Sequence, residues 1–195
     1  NTFAIESFMD ELAEKAGKDP VRFRLDHLTN TKADVRLAKV IQKAAEEAGY
    51  HNEARNGRAM GFAASTDANT PCAHVAEVSI VDDAIKVHKV TCVMDPGMVI
   101  NPDQVRAQCE GSIIMGMSAI LHERMTVKDG ALYPVIYGAY KMALMRDAPK
   151  EINVVLLENE VKPGAVGEPP RGPNGAAIAN AVYRLTGERR RRVPL

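Results

Sequence analysis

The spacing of apolar residues changes period near Tyr50, and that switch points to helices before it and strands directly after it. Ile5, Phe8, Met9, Leu12, Ala13 and Ala16 fall on one helical stripe that Gly17 brings to a stop. Asp19-Pro20 reads as an N-cap with proline at the first helical position of a short second helix carrying Val21, Phe23, Leu25 and Leu28. Leu37, Ala38, Ile41, Ala44, Ala45 and Ala48 mark a third helix, ended by Gly49. Beyond the polar stretch 50–56 the period falls to two, which predicts strands over residues 58–65, 73–81 and 85–94, with Asp82-Asp83 as the turn between the last two. In the middle strand Val75, Glu77, Ser79 and Val81 point one way and Ala76, Val78 and Ile80 the other, so one buried face is expected.

Pro102 suits the first turn of a helix running to about residue 123, with Gly111 and Gly116 inside it. An interior glycine costs roughly 1 kcal/mol against alanine, so two of them point to a close approach. A flat ligand would fit, and ordinary packing against a neighbouring helix is the plainer reading. A hairpin at Lys128-Asp129-Gly130, a strand over 152–157, a Pro/Gly-rich loop over 162–175 and a small-residue helix over 176–185, stopped by Gly187, complete the pattern. The expected class is α+β: a helical segment at 1–49, then an α+β domain at 50–195 with a mixed sheet flanked by helices.

Lys plus Arg and Asp plus Glu both number 25, so no global field draws the chain to nucleic acid or an acidic membrane. No apolar run has the length of a membrane span. Cys72, Cys92 and Cys109 are too widely spaced for a CxxC motif, and packing is their default role. His27, His51, His74, His88 and His122 show no metal-ligand spacing and are read as structural or exposed. Met94, Met98, Met115 and Met117 read as core filler, and the run Arg189 to Arg192 as a solvated tail.

The most unusual stretch is Gly164-Ala165-Val166-Gly167-Glu168-Pro169-Pro170, where an acid stands between a glycine and two prolines. Pro169 pushes Glu168 toward extended backbone and Pro170 does the same to Pro169, so the carboxylate sits on a stiff arm. A general base needs that rigidity, although on composition alone an acid in a surface turn is the preferred reading. Gln108, in Gln108-Cys109-Glu110-Gly111, offers an amide able to donate and accept toward a heterocyclic cofactor, with an exposed helix amide as the alternative.

Five stretches together, in order, resemble one family: Phe3 to Ala13 with Asp19-Pro20 and Arg24; Val93-Met94-Asp95-Pro96-Gly97 with Asn101-Pro102; Gln108-Cys109-Glu110-Gly111; Val166-Gly167-Glu168-Pro169-Pro170; and Ala177 to Val182 with Thr186-Gly187 and Arg189. The chain is similar to the molybdenum-binding subunit of the xanthine dehydrogenase and aldehyde oxidase family, and within it to the branch that oxidises isoquinoline and to related aldehyde dehydrogenases.

That resemblance implies a molybdenum on a molybdopterin dithiolene, often as the cytosine dinucleotide, and hydroxylation of an N-heteroaromatic or aldehyde substrate with water as oxygen source. It implies Glu168 as the base that takes a proton from a metal-bound hydroxyl, and Gln108, Gly111 and Gly167 as cofactor-binding residues. Electrons would leave through 2Fe–2S clusters on a partner iron–sulfur subunit. The family more often carries Gly-Val after Glu-Pro, where this chain has Pro170-Arg171-Gly172, and a small-residue or cysteine pattern where Val93-Met94-Asp95 stands. The chain is expected to be the C-terminal part of a longer subunit and inactive alone, because the family's Gly-rich loops would precede Asn1. Cytoplasm and periplasm stand level as compartments. Two other readings stay open: a non-catalytic assembly domain of such a complex, and a standalone small-molecule-binding module.

Overall fold

The computed structural model describes residues 1–195. Three helices lead: α1 (Thr2–Lys15), α2 (Pro20–Asp26) and α3 (Lys32–Ala48). Their ends follow the chemistry in the sequence. Asp19 caps α2 by accepting from the amides of Val21 and Arg22, Thr31 caps α3, and Gly49 closes α3 in the left-handed conformation. Strands β1 (Arg58–Asp67), β2 (Thr70–Val81) and β3 (Ala84–Gly97) form an antiparallel meander. Helix α4 (Pro102–Leu121), a short hairpin of β4 (Thr126–Lys128) and β5 (Ala131–Tyr133), and β6 (Glu151–Glu158) follow. Strand β6 lies parallel to β3, giving a mixed sheet of order β1-β2-β3-β6, and α5 (Arg171–Thr186) ends the fold. The α+β class expected from the sequence is the class observed, and no helix is long and apolar enough to cross a membrane.

The sheet is covered on both faces, where the alternation in β2 predicted one. On one side Ala73, Val75 and Val93 meet Val40, Ile41 and Ala44 of α3. On the other, Cys72, Ala76, Val78, Val90, Cys92 and Met94 meet α4 and α5. Strand β2 is therefore buried without a break from Thr70 to Ala76. Alternation reports polarity, and small residues such as Ala73 and Ala76 let a helix settle on either face.

Helix α5 starts at Arg171, five residues before the expected start at Ala176. Pro173 stands in its first turn, where a missing N–H matters little, and the neighbouring glycines serve packing. A Cβ at Gly175 would come within 2.5 Å of Ile120 Cδ1, and Asn174 Nδ2 donates to the Ile113 carbonyl at 2.8 Å. Gly61 plays the matching part on β1: a Cβ there would overlap the Ala177 carbonyl and the Ala181 amide, so β1 and α5 touch backbone to backbone.

Helix α1 reverses the expected orientation. Its buried residues are Glu6, Asp10 and Ala13, while Ile5 and Phe8 are 59% and 54% exposed. Ion pairs explain the inversion. Glu6 receives Arg24 Nε at 2.8 Å and the Ala64 amide at 2.7 Å, and Asp10 receives Arg184 at 2.9 Å and Arg189 at 2.6 Å. Arg189 also stacks on the Tyr183 ring at 3.5 Å, and Arg191 pairs with Glu11. The terminal arginine run is thus half a clasp on α1 rather than a solvated tail. Several residues that carried the family resemblance, Glu6, Asp10, Arg24 and Arg189, are fold-holding ion pairs.

Candidate active site

Two elements build the candidate site, the N-terminal half of α4 and the loop between β6 and α5. Asn101 caps α4 by accepting from the Gln104 amide at 3.1 Å, with Pro102 in the first turn. The buried side of α4 carries Val105, Cys109, Ser112 and Ile113, so Gln104, Gln108, Gly111 and Met115 form an exposed stripe. Gly116, by contrast, faces α5, where a Cβ would stand 3.1 Å from Asn174 Nδ2. Of the two helix glycines, one serves helix packing and Gly111 opens onto free space.

The loop is pinned at several points. The Gly164 amide donates to the Pro96 carbonyl at 2.9 Å, the Ala165 amide to the Ala68 carbonyl at 3.2 Å, and Thr70 Oγ1 to the Ala165 carbonyl at 2.7 Å. Gly97, at φ +76°, makes room for this approach, since a Cβ there would be 2.6 Å from the Val161 carbonyl. Behind the loop, Asp95 accepts from Arg36 Nε at 2.8 Å, Arg36 Nη2 at 2.9 Å, Asn159 Nδ2 at 2.7 Å and the Gly97 amide at 3.0 Å. Burial pushes the Asp95 carboxyl up, and these donors, Arg36 foremost, outweigh it and hold the group below the usual carboxylate range. Arg36 Nη1 also donates to the Asn69 carbonyl at 3.1 Å, fixing the β1–β2 turn on which the loop rests.

Between these elements lies a crevice of about 280 Å³ with Pro96, Met98, Gln104, Gln108, Gly164 and Val166 in its walls. A Cβ on Gly167 would stand 3.4 Å from Gln108 Oε1, so the structure brings Gln108 and Gly167 together. Glu168 follows Gly167 along the loop, beyond the residues that line the crevice. Its carbonyl accepts the Arg171 amide at 2.8 Å and Pro169 and Pro170 are buried, while its side chain is exposed. Gly111 lies one turn along the same stripe as Gln108. Met98 and Met115 are 48% and 59% exposed rather than core filler, whereas Met94 and Met117 are buried. A larger depression of about 560 Å³, lined by Glu14, Lys18, Asn52 and Arg184, holds charges already paired with one another or with neighbours.

One grouping escaped the sequence reading. Cys72, His74 and Cys92 meet in the core with their donor atoms within 4.8 Å of one another. The available signal was the Cys-x-His spacing on a strand of period two, which puts Cys72 and His74 on one face. Cys92 arrives only through the pairing of β2 with β3.

Residues 4–149 match the family model described as a molybdopterin cofactor-binding domain. The chain is 36% identical over 198 residues to the beta chain of isoquinoline 1-oxidoreductase from Brevundimonas diminuta, covering 99% of this chain and 25% of that protein. It is 32% identical over 215 residues to one of the subunits of nicotinate dehydrogenase from Pseudomonas putida, covering 100% of this chain and 18% of that protein. Its fold superposes on the aldehyde oxidoreductase of Desulfovibrio desulfuricans with a TM-score of 0.82 at 15% identity, over 99% of this chain and 39% of the other. The chain thus spans a quarter or less of the two relatives' lengths. On the match across residues 4–149, the chain belongs to the molybdopterin cofactor-binding domain family.

Proposed function

We propose that this chain forms one wall of the active site of a molybdenum hydroxylase that oxidises an N-heteroaromatic or aldehyde substrate, with water as the oxygen source. The observation that carries the reading is the meeting of Gln108 with the Gly167-Glu168 loop on one crevice. The exposed amide of Gln108, the missing side chain at Gly167 and the open space over Gly111 suit a flat, polar heterocycle. These three residues would hold molybdopterin, in the cytosine dinucleotide form. When bound, the cofactor supplies the two-electron redox chemistry. The chain's own part is positioning and proton handling.

Glu168 is held by the loop's pinning and by the two buried prolines behind it. Its carboxylate accepts the proton that hydroxylation by water releases. Because the side chain is exposed on this chain, the dry surroundings of a working base come from the rest of the subunit closing over the loop. The stripe of Ile5, Phe8 and Leu12 on α1 supports such a covering, since those side chains have no partner within the chain's own core. Electrons pass to 2Fe–2S clusters on an iron–sulfur partner subunit in this reading.

The test is Glu168→Gln in the complete enzyme. Turnover is expected to fall by about two to four orders of magnitude, the usual contribution of a general base, with molybdenum content unchanged. Retained turnover would remove Glu168 from this role. Loss of molybdenum along with turnover would move it to holding the cofactor.

A further inference from the structure

Behind Gln108, on the opposite side of α4, lies a cluster of soft donors that neither the fold nor the crevice requires. The period of β2 places Cys72 and His74 on the same face, and the register of the meander sets Cys92 directly across from His74. Sγ of Cys72 and Sγ of Cys92 are 3.7 Å apart, and the imidazole lies within 4.8 Å of both. Cys109, on the buried side of α4, belongs to the same core cluster as Cys72 and Cys92. All four side chains are 0% exposed.

Packing alone leaves this arrangement unexplained. Both ring nitrogens of His74, Nδ1 and Nε2, are buried without a hydrogen-bond partner. A neutral imidazole carries one donor and one acceptor, and a closed core supplies neither with water. The two sulfurs, on the other hand, have the separation that a tetrahedral ion imposes: thiolates about 2.3 Å from one zinc stand about 3.8 Å apart. We infer that Cys72, His74 and Cys92 bind one structural zinc ion between the sheet and α4, with the remaining thiol, Cys109, turning in as fourth donor when the ion enters. Each thiol that becomes a ligand gives up its proton to solvent as the ion enters, and the neutral imidazole contributes a ring nitrogen. Once Cys109 completes the set, no position is open to substrate and the ion has no catalytic vacancy. It joins β2, β3 and α4, and Cys109 is the residue after Gln108, so the same ion fixes where the crevice amide stands.

The experiment uses the complete enzyme, desalted through chelator, with zinc and molybdenum measured by mass spectrometry on one sample. About one zinc per subunit is expected, with a zinc absorption-edge spectrum showing sulfur neighbours at about 2.3 Å and an imidazole shell. His74→Ala and Cys92→Ser should each lower zinc at least roughly tenfold. Should these variants fail to fold, titrating the wild-type thiols with a mercurial in the presence of a chromogenic chelator must release about one equivalent of zinc. Wild-type enzyme grown with ample zinc yet free of it overturns the site. So does zinc with an oxygen and nitrogen shell only, or zinc unchanged in the folded variants. Copper or iron found there instead, in equal amount, would equally sink the zinc assignment.

Discussion

Arg24 lays its guanidinium across Glu6, with Nε 2.8 Å from Oε2 and Nη2 2.8 Å from the Glu6 carbonyl, while both side chains are buried. The pair ties α1 to α2, and Glu6 passes the connection to β1 through the Ala64 amide. Removing one partner of such a pair strands the other charge in the core, at about 3–5 kcal/mol. Arg24→Ala should therefore lower the thermal midpoint of the complete subunit sharply. Arg24→Lys should recover only part of the loss, since a single ammonium cannot serve Glu6 Oε2, the Glu6 carbonyl and the Pro20 carbonyl as the guanidinium does. Equal stability of Arg24→Ala and the parent would show that the pair contributes nothing net.

Two glycines give opposite expectations. At Gly61 a methyl group would overlap backbone of α5, which cannot swing aside as a side chain can, so Gly61→Ala should destabilise the fold by about 3 kcal/mol or more. At Gly111 a methyl group meets nothing within 4 Å inside a regular helix, and alanine gains roughly 1 kcal/mol in helix propensity. Urea melts of the two variants measure the contrast. Similar midpoints would contradict the backbone contact between β1 and α5.

The three leading helices, the Asp19 cap, the Gly49 stop and the Asp82-Asp83 turn were readable because each is set by residues near in sequence: Asp19 at the start of α2, Gly49 at the end of α3, and both aspartates at positive φ. The β1–β2 turn was missed for a local reason. It places Ala68 and Asn69 at φ +44° and +64°, and alanine gives no hint that it will adopt that conformation. What stayed hidden was set by distant partners. The apolar stripe of α1 pointed correctly to a helix and wrongly to its buried side, because Arg24, Arg184 and Arg189 draw Glu6 and Asp10 inward. At the candidate site, the Gly-Glu-Pro-Pro loop and Gln108 were visible as unusual residues, whereas their meeting depends on where β6 ends. The Cys72, His74 and Cys92 cluster depends on strand register, which spacing along the chain does not encode.

Asp95 makes the loop beneath Glu168 sensitive to acid. Its carboxyl is held below the ordinary range by Arg36, Gly97 and Asn159 against the opposing pull of burial. A group depressed in the folded state contributes stability that is complete above its unfolded pKa, near 3.8, and disappears as pH falls through the folded value. Thermal midpoints should accordingly hold steady near neutrality and drop below about pH 4. Asp95→Asn should lose about 2 kcal/mol at neutral pH, since it gives up hydrogen bonds to a charged partner, and its midpoint should depend less on acid. A variant with the parent's acid profile would place the sensitivity elsewhere.

The approach of Gly167 to Gln108 can be probed by size alone. A methyl group at Gly167 would lie 3.4 Å from Gln108 Oε1, close to ordinary contact, so Gly167→Ala should leave the crevice nearly as it is. A branched side chain has no such room and must displace the Gln108 amide, because the pinned loop gives little. If Gln108 holds the cofactor as proposed, molybdenum per subunit should fall from parent to Gly167→Ala to Gly167→Val, with the large step at valine. Gln108→Leu should match the valine variant while leaving the far-ultraviolet circular dichroism unchanged. Metal content that ignores the size of residue 167, in subunits that fold normally, would show that the cofactor sits away from this amide, and the crevice would then be only a seam for the rest of the subunit.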